Sequence, residues 1–361
     1  MRKNQLISLF LFLSIPFSYG GIFVPFQQKE VSYMGRVEKV SGQFAKIYWP
    51  GTSVTLNFTG TEVKAILKNG REAAYFYAIV DGNEDAALKI KADTLRSTIV
   101  LATGLKNTPH TVLLFKLSNN TSYTYFYGFE LGDGSSLLPA KAPQKRKIEF
   151  YGNSITAGHG VDVLPGHEDS GSPEYFNNYR TYAALTARHF NAQYSCISRS
   201  GIGVMVSWFP IIMPEMYDRL NPEDATSKWD FKAYTPDVVV INLFQNDMWL
   251  TASPNHPEFK ARFGTTPPDT ATIIRSYRDF VKSIRTKYPQ ASIICVLGSM
   301  NATQQGSPWP GYIETAVKGL SDPKILTHFF PYKDTPGHPK VAEQKIMGDD
   351  LIDFIAKNIK W

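Results

Sequence analysis

The chain is poor in cysteine, in membrane-length apolar runs and in surplus charge. Only two of its 361 residues are cysteine. Cys196 and Cys295 each sit in an apolar stretch that reads as a buried strand; one pair makes no disulfide framework, and strands that are not neighbours leave both as free thiols. The one strongly apolar segment, Leu6 to Phe17, follows Arg2 and Lys3 and precedes Ser18-Tyr19-Gly20. It is short for a membrane span and has the build of a secretory signal over residues 1–20, with a retained N-terminal anchor as the other reading. No cysteine lies near the expected cleavage point, so nothing suggests a lipoprotein. The formal charge is +6, and removing Arg2 and Lys3 with that segment leaves +4. The basic piece formed by Lys141, Lys145, Arg146 and Lys147 has no interleaved aromatics and no reader motif, which makes it a solvated linker and excludes a nucleic-acid surface. No spacing of His and Cys suits a metal, so no metal and no cofactor is expected.

What is present is apolar substance: 43% hydrophobic residues over this length give two domains of ordinary size a core each and exclude disorder. Residues 22 to about 138 alternate short apolar runs with turn signals and lack a helical period. Ser53 to Phe58, Ala74 to Val80 followed by Asp81-Gly82, and Thr111 to Lys116 are examples. Such spacing implies an all-β sandwich of jelly-roll form over residues 21–140. Around Leu138 to Gln144 the pattern dissolves into Pro, Ala and Lys, and beyond it, over 141–361, strand alternates with helix. Strands are expected at Ile148–Tyr151, Tyr194–Ile197, Asp237–Leu243, Ala291–Leu297 and Ile325–Phe330. Helices are expected over Tyr175–Phe190, from a cap at Asp269 or Thr270 to near Pro289, over 309–320, and over Lys340–Ile359. The fold class is therefore α/β: a doubly wound five-stranded parallel sheet behind the jelly roll, with its ligand site at the carboxyl ends of the strands.

Tyr151-Gly152-Asn153-Ser154-Ile155-Thr156-Ala157-Gly158 places a serine at that edge, after the first strand. A serine hydroxyl attacks only when a base takes its proton, and the oxyanion that follows needs donors already aimed at it. The alternative is that Asn153-Ser154 only caps the following turn.

This octapeptide resembles the first block of the SGNH or GDSL hydrolase family, with Asn153 at the family's Asp position. The resemblance implies Ser154 as nucleophile. Arg199-Ser200-Gly201-Ile202-Gly203 takes the place of the second block, and Gly201 would supply a backbone donor. Phe244-Gln245-Asn246-Asp247 matches the third block in Asn246 and Asp247 but has Phe244 where the family has glycine; the Asn246 amide would join the amides of Ser154 and Gly201 in an oxyanion hole. Lys333-Asp334-Thr335-Pro336-Gly337-His338-Pro339 takes the place of the last block, with His338 as base. Asp334 precedes His338 by four residues instead of three; it is the expected orienting acid, with a backbone carbonyl, giving a Ser-His dyad, as the alternative. His159 and His167, close to Ser154 in sequence, are positioned to line the pocket.

A front sandwich joined to such a domain resembles carbohydrate esterase family two, whose members remove acetyl groups from sugars and plant polysaccharides. In the front half the resemblance rests on Tyr48 to Thr52, Ile79 to Gly82, Leu101 to Leu105 and Pro109 to Val112. It implies a secreted or periplasmic serine esterase that deacetylates an oligo- or polysaccharide without cofactor or membrane insertion, with Trp309 or Trp249 stacking on a sugar ring. A lipolytic esterase of longer acyl chains and a noncatalytic carbohydrate-binding protein are the competing readings.

Overall fold

Alternation of inward apolar and outward polar side chains builds the front half of the chain. The computed structural model describes residues 21–361 apart from 120, 122 and 165, so the expected signal over residues 1–20 lies outside the described residues. Strands β1 (Ile22–Pro25), β2 (Ser32–Met34), β3 (Val37–Val40), β4 (Phe44–Ile47), β5 (Ser53–Gly60) and β6 (Val63–Asn69) come first. They are followed by β7 (Ala74–Val80), β8 (Leu88–Ala92), β9 (Ser97–Ala102), β10 (Thr108–Lys116), β11 (Thr124–Leu131) and β12 (Ser136–Leu137). Two antiparallel sheets result, ordered β3-β4-β11-β6-β9 and β12-β5-β10-β7-β8, with β1 on β11 and β2 on β5. Val54, Leu56, Phe58, Leu67, Leu114 and Phe126 fill the space between them. Tyr77, Ile79, Phe115 and Leu117 belong instead to a core shared with the second half.

Residues 138–145 carry no regular structure, and β13 (Arg146–Gly152) opens the second half. With β14 (Ala192–Ser198), β15 (Val238–Asn242), β16 (Ser292–Leu297) and β17 (Ile325–Phe329) it forms a parallel sheet ordered β14-β13-β15-β16-β17. Every residue of β15 is buried, as a strand covered on both faces requires. The strand order reverses at β13, so the crevice of this doubly wound sheet opens at its carboxyl end, where Ser154 follows. Cys196 and Cys295 lie on non-adjacent strands as buried free thiols.

The helices are α1 (Ser154–Ala157), α2 (Tyr182–His189), α3 (Met213–Met216), α4 (Gln245–Thr251), α5 (Pro257–Phe263), α6 (Thr270–Lys287), α7 (Trp309–Lys318) and α8 (Val341–Asn358). Side chains of α2 and α8 cover one face of the sheet, and those of α6 and α7 the other. Asp269 caps α6 by accepting from the Thr272 amide at 2.7 Å. The single helix expected over Tyr175–Phe190 is broken: 3-10 turns at Pro173–Tyr175 and Asn178–Arg180 precede α2. The cause is local competition from short polar side chains. Asn177 accepts from the Arg180 amide at 3.2 Å and Thr181 from the Ala184 amide at 3.3 Å, each restarting the chain. Among the described residues no helix is long and apolar enough to cross a membrane.

Candidate active site

At the end of β13 only glycine lets the chain turn. A Cβ on Gly152 would stand 2.0 Å from Thr156 Oγ1. Asn153 is extended (φ −98°, ψ −151°), and its side chain accepts from the Ile155 amide at 3.0 Å, so it caps α1 as an aspartate would, without the charge. Ser154 then begins the helix, where no intrahelical carbonyl can reach its amide. Its Oγ lies 2.9 Å from His338 Nε2. The imidazole is thus placed to take the hydroxyl proton.

The carboxylate on the other ring nitrogen is Asp169, whose Oδ2 is 2.5 Å from His338 Nδ1 and accepts from the His338 amide at 3.3 Å. The expectation of Asp334 is corrected. Asp334 is exposed and left-handed (φ 37°), in a loop where Lys333 Nζ is tied to the Thr335 carbonyl at 2.7 Å and Thr335 Oγ1 donates to Glu343. The extra residue of that loop is taken up in its own turn and does not extend the carboxylate toward the ring. Burial lowers the pKa of His338, the hydrogen bond to Asp169 opposes this, and nearby His159 and Lys340 add to the lowering. Burial alone would raise the Asp169 carboxyl, but the imidazoles of His159 and His338 hold it well below the usual carboxylate range. Donor atoms of His159, Asp169 and His338 lie within 4.8 Å of one another, which is also the spacing of a three-point metal seat. His338 Nδ1 and Asp169 Oδ2 are also at hydrogen-bond distance, 2.5 Å, which is the geometry of an acid–base chain. His167 is exposed.

Gly201 follows β14 in left-handed conformation (φ 83°), and a Cβ there would press on Phe209 and Trp208 at 3.2 and 3.3 Å. Asn246, on the first turn of α4, donates through Nδ2 to the Ile202 carbonyl at 2.8 Å and accepts from Trp208 Nε1 at 3.1 Å. These two bonds fix which end of the amide faces the Gly201–Ile202 turn, and the NH2 group retains a second donor. Asp247 is buried and accepts from the amides of Val204, Met205 and Val206, hanging the glycine turn on the start of α4. Burial pushes its carboxyl up to about 6 against the pull of those amides.

Phe244 keeps the backbone that a glycine would have (φ 87°) and is fully buried, its ring 4.6 Å from Tyr277 and 5.0 Å from Trp309. This corrects the reading of Trp309 as a sugar platform: it is a core residue that packs on Phe244. Trp249 is half-buried against the core shared by α2 and α8. The exposed tryptophan beside the site is Trp208, 48% accessible. Its closeness to Gly201 in sequence was a usable signal. Asp169 had none, because it lies in an irregular polar loop with no period to place it.

A family model described as the carbohydrate esterase 2 N-terminal domain matches residues 33–140, and one described as the GDSL-like lipase/acylhydrolase family matches 150–323. A solved family two carbohydrate esterase from Clostridium thermocellum, in complex with cellohexaose, is 32% identical with a TM-score of 0.80, over 91% of this chain and 98% of that one. The chain belongs to carbohydrate esterase family two. This family member is also 33% identical, over 92% of its length, to the cellulase/esterase CelE of Acetivibrio thermocellus, of which it spans 40%. To an acetylxylan esterase/glucomannan deacetylase of Cellvibrio japonicus it is 23% identical, over 92% of its own length and 89% of that protein.

Proposed function

We propose that this esterase is secreted and removes O-acetyl groups from a carbohydrate through an acyl-enzyme, with Ser154 as nucleophile, His338 as base and Asp169 as the acid that orients it. The observation that carries the reading is the unbroken line from Ser154 Oγ to His338 Nε2 at 2.9 Å and from His338 Nδ1 to Asp169 at 2.5 Å, at the switch point of the sheet. His338 takes the hydroxyl proton as Ser154 attacks the acetyl carbonyl. The amides of Ser154 and Gly201 and the Asn246 side chain stabilise the oxyanion. The imidazolium then gives its proton to the sugar oxygen, which leaves as the alcohol. Water repeats the sequence on the acetyl-serine, releasing acetate and the free enzyme. The names of the relatives from Cellvibrio japonicus support acetylated plant polysaccharide as substrate. The Arg2-Lys3 start and apolar run within residues 1–20 support export.

The test is acetate release from acetylated xylan and acetylated mannan, with chelator present, by the unmutated protein and by Ser154→Ala. Activity should survive the chelator and fall by roughly 10⁴-fold or more in the variant. Near-normal release by the variant would remove the nucleophile. Faster cleavage of octanoate than of acetate esters would favour lipolytic use of the same site.

A further inference from the structure

A second histidine stands behind the orienting acid, and it is tied to the nucleophile's own turn. α1 ends at Gly158 in left-handed conformation (φ 88°), where any Cβ would come within 2.7 Å of the Asn177 backbone. His159 follows at once, its amide donating to the Ser154 carbonyl at 3.0 Å. Its ring lies on the His338 ring, centroids 4.1 Å apart and planes 23° from parallel, and packs on Phe176 at 4.7 Å. Nδ1 meets Ser200 Oγ at 3.2 Å, and Nε2 stands 3.0 Å from Asp169 Oδ1. In the tautomer whose Nδ1 accepts from the Ser200 hydroxyl, the ring N–H is on Nε2, on the side of the carboxylate. The N–H is off line for a good hydrogen bond, and Oδ1 is buried without an aligned donor. His159 Nε2 stands within hydrogen-bond distance of that oxygen, and such bonds commonly tighten when substrate closes a site.

Asp169 needs this support, since it sits in residues 166–172, which carry no helix or strand, before the turn at Pro173. One oxygen is fixed by the base. The other is free to swing unless something holds it.

We propose that His159 is a positioning residue that grips the second oxygen of Asp169, holding the carboxylate in register with His338, so that the catalytic line runs Ser154, His338, Asp169, His159, Ser200. This rests on the serine-esterase reading above. Removing the grip lets Asp169 rotate or withdraw with its loop, and the base is then oriented only part of the time. The loss belongs to kcat, because no substrate contact changes.

The experiment is a double-mutant cycle on turnover of 4-nitrophenyl acetate by the full chain, comparing His159→Phe, Asp169→Ala and the pair, with His159→Gln as the conservative variant and Ser154→Ala as control. His159→Phe keeps a flat ring on His338 without a donor. It should lower kcat about 10-fold at unchanged KM, and cost nothing more in the Asp169→Ala background. His159→Gln, whose amide can reach the same oxygen, should return to within about 3-fold of the unmutated enzyme. Should His159→Phe not fold, His159→Ala enters the same cycle. Additive losses, a kcat untouched by loss of the ring, or failure of Gln to rescue would each overturn the positioning role. Activity retained in Ser154→Ala would instead overturn the esterase reading beneath it, whatever the His159 variants do.

Discussion

In the proposed mechanism Ser154 is a weak nucleophile until His338 accepts its proton, and three charged or titratable neighbours set how readily that happens. Burial and the presence of His159 and Lys340 lower the imidazole pKa from its ordinary 6.5, while Asp169 holds it up. The base is lost as pH falls through that lowered value, so the acid limb of kcat/KM should have its midpoint below 6.5. Asp169→Asn removes the one group that raises the value, so the limb should move further toward acid while the rate drops roughly 10²- to 10⁴-fold. A limb that moves toward neutrality would contradict the assignment; pH profiles of the two proteins decide it. The tryptophans divide in the same way. Trp208→Phe loses the indole N–H that holds Asn246 and should cost about 3- to 10-fold in kcat, with the fold intact. Trp309→Ala should instead cost about 3–5 kcal/mol of stability, read from denaturant melts. Sequence made Ser154 and His338 legible because each sits in a short block at a strand or helix end. It misassigned the acid, since Asp334 has nearly the right spacing while Asp169 reaches the ring through a loop whose path no local rule fixes.

Elements carried more of the fold. Strand runs such as Val238–Asn242 are buried on both faces and so announce themselves in composition, and the helical period of α6 with its Asp269 cap is equally plain. The α2 region misled because aromatic spacing alone runs from Tyr175 to Phe190, while Asn177 and Thr181 cut it with side-chain bonds that outcompete a continuous helix. α4 went unseen as a helix because its residues were absorbed into a motif. Its entry is where the chain departs from the family's glycine: Phe244 holds a left-handed backbone by burying its ring. Phe244→Ala should cost about 3–5 kcal/mol in lost packing. Phe244→Gly should be less harmful than alanine by about 1 kcal/mol, since glycine adopts this conformation freely. Urea melts of the two variants order them, and alanine proving the more stable would show that backbone strain is not part of the account.

At the scale of the whole molecule, the sandwich is keyed into the hydrolase half by a buried charge. Arg36, between β2 and β3, meets Glu149 of β13 at 3.2 Å with neither side chain exposed, and donates to the carbonyls of Tyr217 and Arg219. Glu149 also accepts from Tyr151, Ser195 and Tyr288. Arg36→Met strands a buried carboxylate and should cost about 3–5 kcal/mol; adding Glu149→Gln should recover part of that, as measured by chemical denaturation. A single variant as stable as the unmutated chain would mean the pair contributes nothing to joining the halves.

Lys89 of the sandwich clamps Asp162 at 2.7 Å, Tyr77 OH accepts from Asn177 at 2.8 Å, and Asn119 accepts from the Ser200 amide at 3.4 Å. Both segments that complete the site, the acid's loop and the glycine turn, are therefore braced by the module in front of them. A designer who cuts at residues 138–145 to graft the hydrolase alone onto another scaffold would bare the oily seam left by Phe115 and release both braces. Transplanting this catalyst means carrying the two modules together.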